Sequence, residues 1–184
     1  VFYDTSLTTT ALERYDALVL PNAACLSEQE GAVLDAFVQS GGSLLATGET
    51  GLYDERGQRR ARPLLACLGL ESVEFQREDT RSAYLTVQDS DRGWLAGLED
   101  TELIAVLGRF MYSNPRSDAR GALPLLPPMR YGPPEKCYPE ATSSWPGLLW
   151  QDFGKGRSAL FPWQPDRYYY NLSLPEYRIL LDQT

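Results

Sequence analysis

Glu49 and Thr50 sit in the stretch "GGSLLATGETGLYDERG", Gly41 to Gly57. An apolar run, Leu44-Leu45-Ala46, leads into the polar turn Thr47-Gly48-Glu49-Thr50-Gly51. In many α/β enzymes a turn of this kind, at the carboxyl end of a strand, exposes a nucleophile. Here the expected exposed position is Glu49 or Thr50, and the turn holds neither Cys nor Ser. The whole chain contains no His, so it cannot build a Cys-His or Ser-His pair. It also lacks the commonest zinc ligand, and neither a metal nor a cofactor is expected.

A carboxylate at this place has two readings. It can face a ligand at the carboxyl edge of the sheet, where α/β folds bind small molecules. It can instead tie down the turn by accepting backbone N–H bonds. The second is favoured, because one carboxylate without a partner does little acid–base work. Asp54 and Glu55 follow closely. A glycosidase pair needs carboxyls about 5 to 10 Å apart, a spacing that many loop carboxylates reach. A sugar-binding reading would place Glu49, Tyr53 and Asp54 together with Glu135, Lys136 and Tyr138 of the "PPEKCY" loop.

The three cysteines, Cys25, Cys67 and Cys137, are far apart and form no CxxC motif. Reduced thiols in a cytoplasmic protein fit better than a disulfide scaffold. Cys25 lies near a helix start and Cys67 in an apolar segment that suits core packing. Cys137, beside Lys136, is the best candidate for a reactive thiol, although an inert one is favoured without a base. Tyr168, Tyr169 and Tyr170 in "WQPDRYYYN" read as a partly exposed loop and as the candidate contact surface, since Tyr is enriched at interfaces. Arg56, Arg59, Arg60 and Arg62 form a charge run. Such runs usually line a solvated face, with a carboxylate or a neighbouring domain as the other possible partner.

The elements that must position these residues are clearest near the amino end. Ala17-Leu18-Val19-Leu20, stopped by Pro21-Asn22, suits a strand covered on both faces. Ser27 with Glu30 is a capping-box signature. Val33, Leu34, Phe37 and Val38 recur at helical spacing, and Gly41-Gly42 ends the helix. Ser43 to Thr47 is a second strand, completing a βαβ unit with parallel strands. Ala61 to Leu70 reads as a short helix with Pro63 in its first turn. Residues 82–87 and 102–107 read as strands, and the proline-dense stretch 115–146 as irregular. Two apolar runs around Gly154-Lys155-Gly156 read as a β-hairpin, and Pro175 opens a last helix. These elements predict a single α/β domain over 1–184, with a mostly parallel sheet flanked by helices and an appended carboxyl-terminal β-hairpin.

Composition bounds the rest. The chain has 184 residues, 43% of them hydrophobic and 23% charged, as in a globular domain with its own core. A net charge of −8 argues against nucleic acid and against anionic membranes as partners. No run of about 18 apolar residues marks a membrane span. The chain opens on "VFYD" without Met and closes within a helix-like stretch, as a piece of a longer protein would.

Residues Tyr15 to Asp54 resemble the trimerisation domain of bacterial β-galactosidases. The matching stretches are "YDALVLPNAACLS", "LDAFVQSGGSLLATGET" and "LYDERG". Further on, "RYGPPEKCYPE", "PGLLWQDFGKGRSALFPW" and "YYYNLSLPEYRILL" look like the same domain in glycosyl-hydrolase-like proteins. The resemblance implies a flavodoxin-like three-layer fold similar to class I glutamine amidotransferases, without their catalytic machinery. It implies a preceding TIM barrel outside this chain that carries the catalytic carboxylates, and contacts that build a homo-oligomer. The resulting expectation is a non-catalytic accessory domain of a glycoside hydrolase. The alternative is a carbohydrate-binding or small-ligand module.

Overall fold

The computed structural model describes residues 7–78, 80, 82–128, 133 and 141–184. After a short helix α1 (Thr9–Leu12), the βαβ unit forms as expected from β1 (Ala17–Leu20), α2 (Glu28–Ser40) and β2 (Ser43–Thr47). β1 and β2 pair in parallel, Leu18 opposite Leu44. The capping box is complete. Ser27 Oγ accepts the Glu30 N–H at 3.3 Å, and Glu30 Oε2 accepts the Ser27 N–H at 2.7 Å. Gly41, at φ 128°, closes the helix.

The following elements are β3 (Leu70–Arg77), β4 (Ala83–Thr86), α3 (Asp89–Arg92), β5 (Leu103–Val106) and β6 (Phe110–Pro115). Then come β7 (Arg120–Leu126), β8 (Pro146–Phe153), β9 (Gly156–Phe161), α4 (Pro165–Leu172) and α5 (Pro175–Gln183). Seven strands form one sheet in the order β1-β2-β9-β8-β7-β4-β5, and β3 pairs with β6 in a separate ribbon. Only β1, β2 and β9 run parallel. Every other pairing in the large sheet is antiparallel.

The expected mostly parallel sheet is therefore a mixed sheet. The hairpin is not appended but central, because β9 pairs with β2 on one side and with β8 on the other. The apolar runs of β8 and β9 are buried on both faces, which makes them look like parallel strands in sequence. Other differences also have local causes. Residues 61–70 form no α-helix, only a 3-10 turn at Ala66–Leu68 ending on left-handed Gly69. The Asp35 carboxylate accepts the N–H groups of Ala66 and Cys67 at 3.1 and 2.9 Å, so a side chain replaces helical bonding there. The proline-dense stretch contains β7. Pro124 is tolerated where β7 passes from pairing with β8 to pairing with β4. The "PDRYYYNL" segment is helix α4, with Pro165 in its first turn, rather than a loop.

Side-chain alternation assigns the two faces of the sheet. Leu18, Leu44, Leu149 and Leu160 point into a core with Leu34, Phe37 and Val38 of α2. Leu45, Leu148, Ala159 and Phe161 join the opposite core, with Trp163 and with Tyr177 and Leu180 of α5. That second face is not covered as far as β1, where Val19 remains 59% exposed. Among the described residues no helix is long and apolar enough to cross a membrane.

Candidate functional site

The carboxyl ends of β1 and β2 interlock through a short set of hydrogen bonds. Gly48 takes φ +59°, and a Cβ there would lie 2.1 Å from Asn22 Oδ1, so only glycine fits. Its N–H donates to the carbonyls of both Phe161 and Trp163 at 2.9 Å. Asn22 Oδ1 accepts the Glu49 N–H at 2.8 Å. The Asn22 N–H donates to Thr47 Oγ1, and the Ala23 N–H donates to Thr50 Oγ1. The Thr50 hydroxyl in turn donates to the Thr47 carbonyl at 2.8 Å. The turn expected to expose Glu49 or Thr50 instead buries both, and the Thr50 hydroxyl is held by backbone groups of the turn and of the end of β1.

The Glu49 side chain is the centre of a second network. Oε1 accepts the Tyr53 hydroxyl and the Gln76 amide, each at 2.9 Å. Oε2 accepts Nη1 of Arg109 in an ion pair. Arg109 also donates from Nε and Nη2 to Glu78 at 3.0 and 2.8 Å. The β3–β6 ribbon brings these groups in. Arg77 lies opposite Phe110, so Glu78 and Arg109 face each other at its end. The hydrogen bond to Glu49 holds the Tyr53 phenol above its ordinary pKa, with burial adding to the effect. The bond to Glu78, reinforced by Glu49, raises Arg109 against the opposing effect of burial.

Glu49 thus receives three donors, two on one oxygen and a guanidinium on the other. Glu78 reaches it only through Arg109, so the two carboxylates share a cation rather than flank an open gap. That arrangement suits fastening more than proton transfer. Arg109, 38% exposed on its side chain, and the more exposed Glu78 carry the network out to solvent.

Of the residues expected to meet at a site, Tyr53 does reach Glu49. Asp54 does not bond to it, because its Oδ1 accepts the N–H groups of Arg56 and Gln58 within its own turn. Glu135, Lys136, Cys137 and Tyr138 lie outside the described residues. Cys67 is buried, and burial, with Asp35 alongside, drives its thiol far above the usual range; it is a core residue, as its apolar setting implied. Cys25 is exposed. Tyr168 and Tyr169 are half-buried against the core, while Tyr170 is 88% exposed. Gln76, Glu78 and Arg109 were not anticipated. Gln76 and Glu78 alternate with Glu74, a strand-like spacing, but "VEFQRE" carries no mark of what its polar face meets.

Among the described residues no three His, Cys, Asp or Glu side chains are grouped to hold a metal ion. A groove of about 460 Å³ lies toward the opposite, amino ends of the parallel strands. Val19, Leu45, Trp150, Asp152 and Arg157 line it beside the end of α5.

No family model matches the chain, and no curated protein does. Solved structures share the fold. A β-galactosidase from Bacillus circulans sp. alkalophilus matches 94% of this chain with 22% of its own, at TM-score 0.68 and 15% identity. The cold-adapted β-galactosidase of Rahnella sp. R3 matches 80% of this chain with 20% of its own, at TM-score 0.58 and 18% identity. A cytoplasmic protein from Salmonella typhimurium matches the whole of this chain with 74% of its own, at TM-score 0.64 and 15% identity. The chain spans about a fifth of the length of the β-galactosidases it matches.

Proposed function

We propose that this chain is a non-catalytic accessory domain of a glycoside hydrolase of the β-galactosidase kind. It would pack against a separate catalytic barrel and contribute to a homo-oligomer. The observation that carries the reading is the state of Glu49. At the strand end where an amidotransferase-like fold would hold its nucleophile, the carboxylate is buried and bonded to Tyr53, Gln76 and Arg109. A fold found as about a fifth of β-galactosidase chains agrees with an accessory part. The uncovered sheet face at Val19 and the exposed Tyr170 and Leu172 of α4 offer surfaces for such contacts.

The purified chain should hydrolyse neither aryl galactosides nor glutamine. Turnover that disappears in Glu49→Gln would overturn the accessory reading. The partial exposure of Arg109 favours one second reading, a carbohydrate site at the carboxyl edge beside Glu49 and Tyr53. Titrating the same preparation with galactose and lactose separates the two. Saturable heat that Arg109→Gln removes would support the carbohydrate site, and its absence the accessory domain alone.

A further inference from the structure

The four arginines at 56, 59, 60 and 62 lie on an acidic chain, and the fold holds two of them over a pocket without an acidic partner. Gly57, at φ +74°, closes a tight turn in which the Asp54 N–H donates to the Gln58 carbonyl at 2.9 Å. Arg59 then pairs with Tyr53 through the backbone, and the Arg60 N–H donates to the Leu52 carbonyl at 2.9 Å. The backbone that carries Arg59 to Arg62 is therefore anchored to the sheet's carboxyl edge rather than left as a free solvated loop.

The side chains differ sharply in what they meet. Arg60 is 15% exposed; its Nη1 pairs with Glu28 and its Nη2 donates to the Leu26 carbonyl at 2.8 Å. Its Nε is buried and has no partner among the described residues. Arg60 is held by Glu28 and Leu26 on the protein side. Arg59 and Arg62 form no ion pair or side-chain hydrogen bond among the described residues, and both are exposed. Together with Ser72 and Glu74 of β3, these three arginines line a polar pocket of about 210 Å³. Glu74 and Ser72 are both engaged by the Asn114 amide, at 3.0 and 3.2 Å. Glu74 is the acid in the pocket lining, and Glu28 is already paired with Arg60.

We infer that this pocket binds the phosphoryl group of a small molecule. Planar guanidinium forks match the oxygens of a phosphate, and charge-assisted bonds to it are stronger than neutral ones. Two exposed arginines without an ion pair among the described residues, on one pocket, favour a dianion over a single carboxylate. The volume falls below that of pockets for drug-sized ligands and suits a compact head group. The inference is independent of the accessory-domain reading, since it concerns a pocket that the Glu49 network does not line.

Calorimetric titration of inorganic phosphate into the whole chain tests it, at constant ionic strength set by chloride. Phosphate also stabilises proteins by exclusion from their surface, so the readout is saturable heat and its loss in Arg59→Gln/Arg62→Gln. One-to-one binding by the parent chain should weaken about tenfold for each guanidinium removed. The unliganded variant should melt no lower than the parent, because neither side chain is paired. Absence of saturable heat, or a double variant that binds phosphate as tightly as the parent, would overturn the inference. So would binding of acetate or malonate in preference to phosphate, which would make this a carboxylate pocket.

Discussion

At the scale of single residues, Glu49 does the work of a fastener. Its carboxylate joins the turn after β2 to the β3–β6 ribbon through Gln76 and Arg109. Glu49→Ala leaves three donors without their acceptor and should destabilise the fold by about 2 kcal/mol, the partial exposure of Arg109 keeping the loss at the low end. Chemical denaturation measures this, and absorbance titration of Tyr53 provides a second readout. Without Glu49 the phenol should titrate nearer its ordinary value, since that hydrogen bond is the largest cause of its upward shift. An unchanged Tyr53 titration would show that the bond contributes nothing in solution. The short turn was legible in sequence as a glycine-bounded polar stretch after an apolar run. Its partners were not, because Gln76 lies on β3 and Arg109 just ahead of β6, and the pairing of those two strands is set far along the chain.

At the scale of elements, the βαβ unit was legible because its signals are local. The capping box, the helical spacing of Leu34, Phe37 and Val38, and the terminating glycines all lie within one stretch. The direction of the remaining strands was not, since β8 and β9 are apolar on both faces whichever way their neighbours run. Helix α4 was hidden for another reason: three consecutive tyrosines carry little helical preference, and packing of Tyr168 and Tyr169 on the core decides the matter. The α5 face makes a measurable claim. Tyr177, fully buried with its hydroxyl donating to the Ala105 carbonyl at 2.9 Å, has its pKa pushed up to about 12, chiefly by burial. The unfolded phenol ionises near 10, so its contribution is intact below pH 10 and is lost as pH rises from 10 to 12. The loss approaches about 2 to 3 kcal/mol. Tyr177→Phe should flatten the fall in stability over that window, and an identical pH profile in the variant would refute the assignment.

At the scale of the whole molecule, two faces are treated differently. The face under α2 is closed by a continuous apolar core, whereas the opposite face stops short of β1. A domain that completes its cover with another body should not remain a dilute monomer when that body is a copy of itself. Sedimentation of the purified chain is expected to give a mass above that of a single 20.6 kDa chain, dropping on Tyr170→Glu if α4 forms the contact. A monomeric parent would assign the open face to a different polypeptide.

The central place of β9 has a consequence for how the chain must be made. Leu45 pairs with Val19 on one side and finds its other neighbour in Ala159, so the early βαβ unit keeps an open strand edge until β9 has been made. Until β8 and β9 leave the ribosome, the parallel and antiparallel halves have nothing to join them. Pairings so distant in sequence slow folding, and an open strand edge invites pairing with other chains. Vectorial production therefore leaves the nascent domain exposed to misassociation until residues 146–161 emerge, and the β8–β9 hairpin acts as the keystone that seals the sheet.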